Sequence, residues 1–306
     1  MSLEKSYLEY PKRRYGMDND FYDWSNLFAR KPIKWSNGAR IAVWIVTSLE
    51  FFPLNPTGVP FKAPGSMVTP YPDYRHYTTR DYGNRVGVFR IMKSLEKFGL
   101  TGSYAVNSKV AERYPFLVEE INRRGGEIIA HGVDMDTLHY GGLGVEEERQ
   151  QVRESLTKLR SISGQKISGW LSPAKSESMN TLELIESEGV EYVCDWVNDD
   201  LPYQMKVGNL YSMPFSTELS DRQIIMDYKH SEAEYAEQIK DAFDCLYGET
   251  KKHGGRVLAL SLNPYIIGLP YRITALEEVL RYITSHEGVW TATGDEILQD
   301  FKKISE

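Results

Sequence analysis

Acidic, imidazole and amide side chains stand directly after short apolar runs along this 306-residue chain. Glu50 closes the run that begins at Ile41. His131, Asp134 and Asp136 follow Ile128-Ile129-Ala130. Ser172 follows Trp170-Leu171, and Asp195, Asp199 and Asp200 follow Tyr192-Val193-Cys194. Asn263 follows Val257–Leu262. A carboxylate and an imidazole brought together can take a proton from a bound water and return it to a leaving group. This chemistry points to Glu50 and His131 as the catalytic pair. Asp134, Ser172, Asp199, Asp200 and Asn263 offer hydrogen bonds to a polar substrate. Phe51, Trp170 and Tyr203 offer walls that exclude water, and a carboxylate beside such walls holds a proton more readily.

Each residue also has a structural reading. Glu50 can pair with an arginine, and His131 can be a hydrogen-bonded core histidine. Asp134 and Asp136 suit caps and turns. Asp199 and Asp200 precede Leu-Pro, and Asn263 precedes Pro264, so all three can shape turns. Convergence on one barrel mouth, more than any single residue, carries the functional reading.

The elements that would position these groups alternate. Strands are expected at Ala39–Val46, Gly102–Val106, Glu127–His131, Ile167–Leu171, Tyr192–Asp195, Leu210–Pro214, Gln223–Met226, Val257–Leu262 and Val289–Ala292. Helices are expected at Arg85–Phe98, Ser108–Arg124, Val145–Ser161, Thr181–Glu188, Glu232–His253 and Ile273–His286, several ended by glycine. Strand–helix alternation over this length predicts an α/β fold, an irregular (β/α)7 TIM-like barrel with its chemistry at the C-terminal strand ends. Residues 1–36 read as an aromatic arm on the barrel or on a neighbouring subunit, and 37–306 as one barrel domain. The Pro-, Gly- and Tyr-rich stretch 52–79, with Asn55, Lys62, Tyr71 and Arg75, reads as a loop that sets the substrate.

Hydrophobic residues make up 41% and charged residues 26%, so a sizeable core is expected. The net charge of -7, with no basic face, argues against nucleic acid. Cys194 and Cys245 form neither a disulfide framework nor a zinc motif. No signal peptide and no membrane-length apolar run is found, which predicts a cytoplasmic protein. The arm and the 20 tyrosines predict a homo-oligomer, a dimer or tetramer.

Several stretches, in order, resemble the polysaccharide deacetylase (NodB-homology) superfamily, and more narrowly its allantoinase-like and peptidoglycan-deacetylase-like branch. They are Asn37–Val43, Asp81–Gly87, Gly126–Gly132, Gly169-Trp170, Asn180-Thr181, Asp199–Tyr203, Leu262-Asn263-Pro264, Ile267–Ile273 and His286–Trp290. The resemblance covers the chain from about residue 37 to the end and implies an irregular barrel of NodB type. It also exposes departures. Glu50 stands where the metal-dependent members have a base, and Phe51 where they have a metal-binding aspartate. His131 is kept, but its partner position is Met135. The late histidine, a general acid in those members, is Asn263, and the Arg-x-Pro element is Leu171-Ser172-Pro173.

One surviving ligand is too few for zinc, which takes three protein ligands and a water. No cofactor is therefore expected, with zinc or another divalent ion, held by His131 with Glu50, Asp134, Asp136 or His139, as the runner-up. The leading expectation is a hydrolase of a non-peptide carbon–nitrogen bond, possibly in a cyclic amide, in a small polar molecule. The alternatives are a metal-dependent N-deacetylase of an N-acetylated sugar and a barrel that binds but no longer turns over.

Overall fold

The computed structural model describes residues 19–57 and 69–305. Residues 1–18, and Lys62 in the expected substrate loop, lie outside that range. The strands in chain order are β1 (Ile41–Leu49), β2 (Ser103–Val106), β3 (Glu127–Ala130), β4 (Gly169–Trp170), β5 (Tyr192–Val193), β6 (Tyr203–Gln204), β7 (Tyr211–Ser212), β8 (Arg256–Leu262) and β9 (Val289–Thr291). They form one curled sheet in the order β6-β7-β5-β4-β3-β2-β1-β8, with β9 added beside the start of β1. All pairs are parallel except β6 with β7. Helices cover the outer face: α1 (Tyr74–Tyr82), α2 (Val88–Lys97), α3 (Ser108–Arg113), α4 (Pro115–Arg123), α5 (Val145–Ser163), α6 (Thr181–Ser187), α7 (Glu232–His253), α8 (Ile273–Thr284) and α9 (Gly294–Ser305).

All nine residues of β1 are buried, as befits a central parallel strand covered on both faces. Alternation sorts them. Ile41, Val43 and Ile45 pack outward with Leu276 and Val279 of α8, whereas Ala42, Trp44 and Val46 pack inward with Ile129, Met213 and Ala259. Trp44 plugs the interior against Tyr192 and Phe215, and its Nε1–H donates to Ser103 Oγ at 2.8 Å. The barrel is a packed core, so chemistry is confined to its ends.

Among the described residues no ladder joins β8 to β6 or β7, and the barrel stays open along this seam. Backbone contacts bridge it: the Val257 N–H donates to the Asp200 carbonyl at 3.1 Å. The arm lies across the same gap. Lys206 N–H donates to the Phe21 carbonyl on one side, and Gly255 N–H donates to the Ile33 carbonyl on the other. Arg30 pairs with Asp199 at 2.6 Å between them.

Three expected elements differ. The helix across 108–124 is two helices, because Pro115 lacks an N–H and Tyr114 leaves helical geometry. The stretch 223–226 is not a strand but part of a π-helical segment, Arg222–Asp227, which buries Ile224 and Ile225. A short apolar run cannot tell the two apart. The last part of the 52–79 loop is helical from Tyr74, capped by the Asp73 side chain accepting from Arg75 N–H. That helix buries only His76, so it carries no apolar stripe to announce it.

Candidate active site

Glu50 continues the inward register of β1, and the turn carrying it is held on three sides. The Asn84 side chain donates to the Glu50 carbonyl at 2.9 Å, the Phe51 N–H donates to Asn107 Oδ1 at 2.7 Å, and the Met135 N–H donates to the Phe51 carbonyl at 2.9 Å. Asn107 also donates from its amide to the His131 carbonyl, so one buried side chain joins the ends of β1 and β3.

His131 lies 2.7 Å through Nδ1 from the Leu171 carbonyl. A carbonyl only accepts, so Nδ1 carries a proton, and in the neutral imidazole Nε2 presents a lone pair. That Nε2 faces Glu50 Oε1 at 3.9 Å, with His131 3% and Glu50 10% exposed. His131 Nε2 and Glu50 Oε2 are buried without a hydrogen-bond partner among the described residues. Two such atoms facing each other across one gap leave room for a water or a substrate atom to satisfy both.

Residues not singled out in the sequence complete this end. The Asp221 carboxylate accepts from Asn263 N–H at 2.8 Å, Asn263 Nδ2–H at 2.9 Å and Ile267 N–H at 3.2 Å. Burial nevertheless pushes its pKa up to about 7. Asn263 thus points its amide nitrogen at Asp221. Two π-helical segments grip the turn after β8: Gly83–Gly87, between α1 and α2, and Arg222–Asp227. A Cβ on Gly87 would fall 2.0 Å from the Pro264 carbonyl oxygen, so only glycine lets the first segment approach this closely. π-Helical turns are rare and concentrate at functional sites. These two place Arg80 and Arg222 near Glu50 and Tyr265.

Trp170 faces the helical layer outside the barrel, and Ser172 follows it to the same side. Both are fully buried; Trp170 Nε1–H donates to Ser172 Oγ at 2.8 Å, and Ser172 N–H donates to Asp195 Oδ1 at 2.9 Å. They brace the loop beside His131 and do not wall a pocket. Burial and the neighbouring Asp195 raise the pKa of Glu177, and burial raises that of Asp195. Burial also lowers Lys175 to about 8, although its Nζ donates to the Phe215 carbonyl and Thr217 Oγ1. Phe51 is buried, its ring 4.6 Å from the Arg113 guanidinium carbon. Asp134 accepts from Asp136 N–H and from the N–H and hydroxyl of Thr137, which is a turn cap. Asp136 accepts from Thr57, tying down the loop after β1.

Asp199, Asp200 and Tyr203 do not join Glu50 and His131. The Asp200 carbonyl bonds Val257, at the start of β8, whereas Asn263 follows its end. Strand β5 is only two residues long, so the chain has turned back to the opposite end of the barrel before reaching Asp199. Tyr203 packs on Tyr22 of the arm and donates to Asn198. Asp199 and Tyr203 line a groove of about 1540 Å3 under the arm that includes neither Glu50 nor His131. Its size says nothing of the chemistry at the other end.

The donor set does not fit the metal that the family pattern implies. Phe51 and Met135 occupy two ligand positions. His139, the other histidine considered, lies with Nδ1 3.2 Å from Glu148 Oε1 in a fully buried cluster closed by the Ser178 and Thr181 hydroxyls. Burial pushes the Glu148 carboxyl up, but these three hydrogen bonds outweigh it and hold its pKa below the ordinary value. Among the described residues no group of three or more His, Cys, Asp or Glu side chains could hold a metal ion. Nor is any of their helices long and apolar enough to cross a membrane.

An incomplete (β/α) barrel with an imidazole and a carboxylate at its C-terminal strand ends is the class that fold and site define. Residues 70–193 match the model of the polysaccharide deacetylase family. A Schizosaccharomyces pombe protein named "Putative polysaccharide deacetylase" is 26% identical over 72% of this chain and 73% of its own length. A Helicobacter pylori peptidoglycan deacetylase is 22% identical over 72% of this chain and 86% of its own. Among solved structures, the Puue allantoinase superposes with a TM-score of 0.81 at 25% identity, covering 92% of this chain and 98% of the other.

Proposed function

We propose that this chain hydrolyses a non-peptide carbon–nitrogen bond of a small polar amide, cyclic or linear, without a tightly bound metal. The observation that carries the reading is the 3.9 Å separation between two acceptors, Glu50 Oε1 and His131 Nε2. One water donating a hydrogen to each, at ordinary lengths of about 2.8 Å, spans such a gap. As that water attacks the amide carbon, its proton passes to the Glu50–His131 pair. His131 Nε2 then returns a proton to the leaving nitrogen as the carbon–nitrogen bond breaks. Asn263 has no proton to give, and its amide nitrogen is committed to Asp221. The relatives named as deacetylases and as an allantoinase support this reaction class. The donor set around His131 supports independence from metal. The test is turnover of a panel of cyclic and linear amides by purified protein, with and without chelator, beside elemental analysis. Turnover that survives chelation is expected. A stoichiometric ion whose removal abolishes turnover would overturn the reading.

A further inference from the structure

His131, Ser172 and Asp195 follow the ends of three neighbouring strands, β3, β4 and β5. One peptide unit joins them. Its carbonyl, on Leu171, accepts from His131 Nδ1–H at 2.7 Å, and its N–H, on Ser172, donates to Asp195 Oδ1 at 2.9 Å. Ser172 is fully buried and His131 nearly so, which places both bonds in a medium of low dielectric. The strands beside them are already held by backbone alone. Leu171 N–H donates to the Ala130 carbonyl and Cys194 N–H to the Trp170 carbonyl, both at 2.9 Å. The Asp195 side chain is therefore not needed to close the ladder. It is itself set in place by neighbours: Glu177 engages its carboxyl, and Trp196 Nε1–H donates to the two Glu177 oxygens at 3.1 and 3.0 Å.

Hydrogen bonds at the two ends of one amide strengthen each other, because an acceptor on the N–H draws electron density toward the carbonyl oxygen. A carbonyl that accepts more strongly fixes the imidazole in one orientation and one tautomer. We infer that Asp195 is a positioning residue for His131, acting through the Leu171–Ser172 peptide and not on the substrate: it holds the carbonyl that holds Nδ1–H, and so keeps Nε2 aimed at the gap shared with Glu50. The inference rests on the proposed hydrolase reading and adds a third member to its working pair, tied to the histidine through backbone instead of through a side-chain contact.

The ring proton reports this directly by NMR of protein carrying isotope-labelled histidine, its signal assigned as the one that His131→Gln removes. Asp195→Asn keeps an acceptor for Ser172 N–H but a weaker one, and Asp195→Ala removes it. The Nδ1–H resonance should move upfield in the first and further upfield in the second. Ser172→Pro tests the route. Ser172 has a φ of -62°, which proline adopts, and the substitution deletes the N–H. In that background Asp195→Asn should add no further shift. Turnover by Asp195→Asn should fall about tenfold in kcat with KM unchanged. A resonance that stays in place in both Asp195 variants, shifts that simply add in the double variant, or a loss confined to KM would overturn the inference. Should the wild-type protein turn over no amide, the hydrolase reading falls, and the resonance still decides whether Asp195 holds His131.

Discussion

His131 meets Glu50 through Nε2, 3.9 Å from Oε1, because the Leu171 carbonyl takes the hydrogen bond from Nδ1 and fixes the ring. Glu50→Gln removes the proton acceptor and keeps the shape. Turnover should fall at least about a hundredfold. Thermal stability should hold or rise, because the buried Glu50 Oε2 has no partner to lose. Undiminished turnover in this variant would refute the role given to Glu50.

Phe51 and Met135 are what separate this mouth from a three-ligand site. Phe51→Asp combined with Met135→His puts three donors, with His131, on two turns already linked by the Met135–Phe51 backbone hydrogen bond. The double variant should take up zinc near one equivalent and gain thermal stability in its presence. Elemental analysis and melting curves check this. No uptake would mean that the two backbones do not place a metal site.

Asp221 makes stability depend on pH with a definite sign. Its pKa rises from 3.8 unfolded to about 7 folded, so the folded chain binds the proton more tightly. That contribution is fully present below the unfolded value and is lost as pH climbs through 7. At about 1.4 kcal/mol per pH unit, it is on the order of 4 kcal/mol. Asp221→Asn cannot titrate, so its stability relative to wild type should improve steadily between pH 4 and about 8 in denaturant unfolding. A constant difference would disprove the burial argument.

Gly87→Ala is expected to cost about 1–3 kcal/mol by overpacking against the Pro264 carbonyl, a backbone atom with no rotamer to escape into. It should also lower turnover, since Asn263, Tyr265 and Arg80 depend on the same contact. Gly99→Ala is the control. A Cβ there meets nothing within 4 Å, so only the cost of its positive φ of 67° remains and turnover should stay at the wild-type level.

Glu50 and His131 were legible because each ends a buried apolar strand, and a parallel barrel puts such ends on one side. Asp199, Asp200 and Tyr203 followed the same rule and broke it. Their strand is too short to fix a direction, and the chain reverses before it reaches them. Arg80 and Arg222 were invisible for a different reason. Each sits beside or within a π-helical segment, one next to an aromatic loop and the other inside an Ile-Ile run that imitates a strand. Gly83 and Gly87, four residues apart, were the available sign that a helix there comes close to another backbone. The fully buried Trp170 and Ser172 show that a polar or aromatic residue at a strand end can be a brace for its neighbour.

The unclosed side of the barrel has a cost that the arm meets. Free strand edges are templates for pairing with another chain. Phe21, Arg30 and Ile33 reach the Lys206 side, Asp199 and the Gly255 side in turn, so 19–34 acts as a cover strip over exposed hydrogen-bonding groups. A chain lacking this strip could keep the end that holds Glu50 and His131 intact and yet stick to its own copies, losing colloidal competence first.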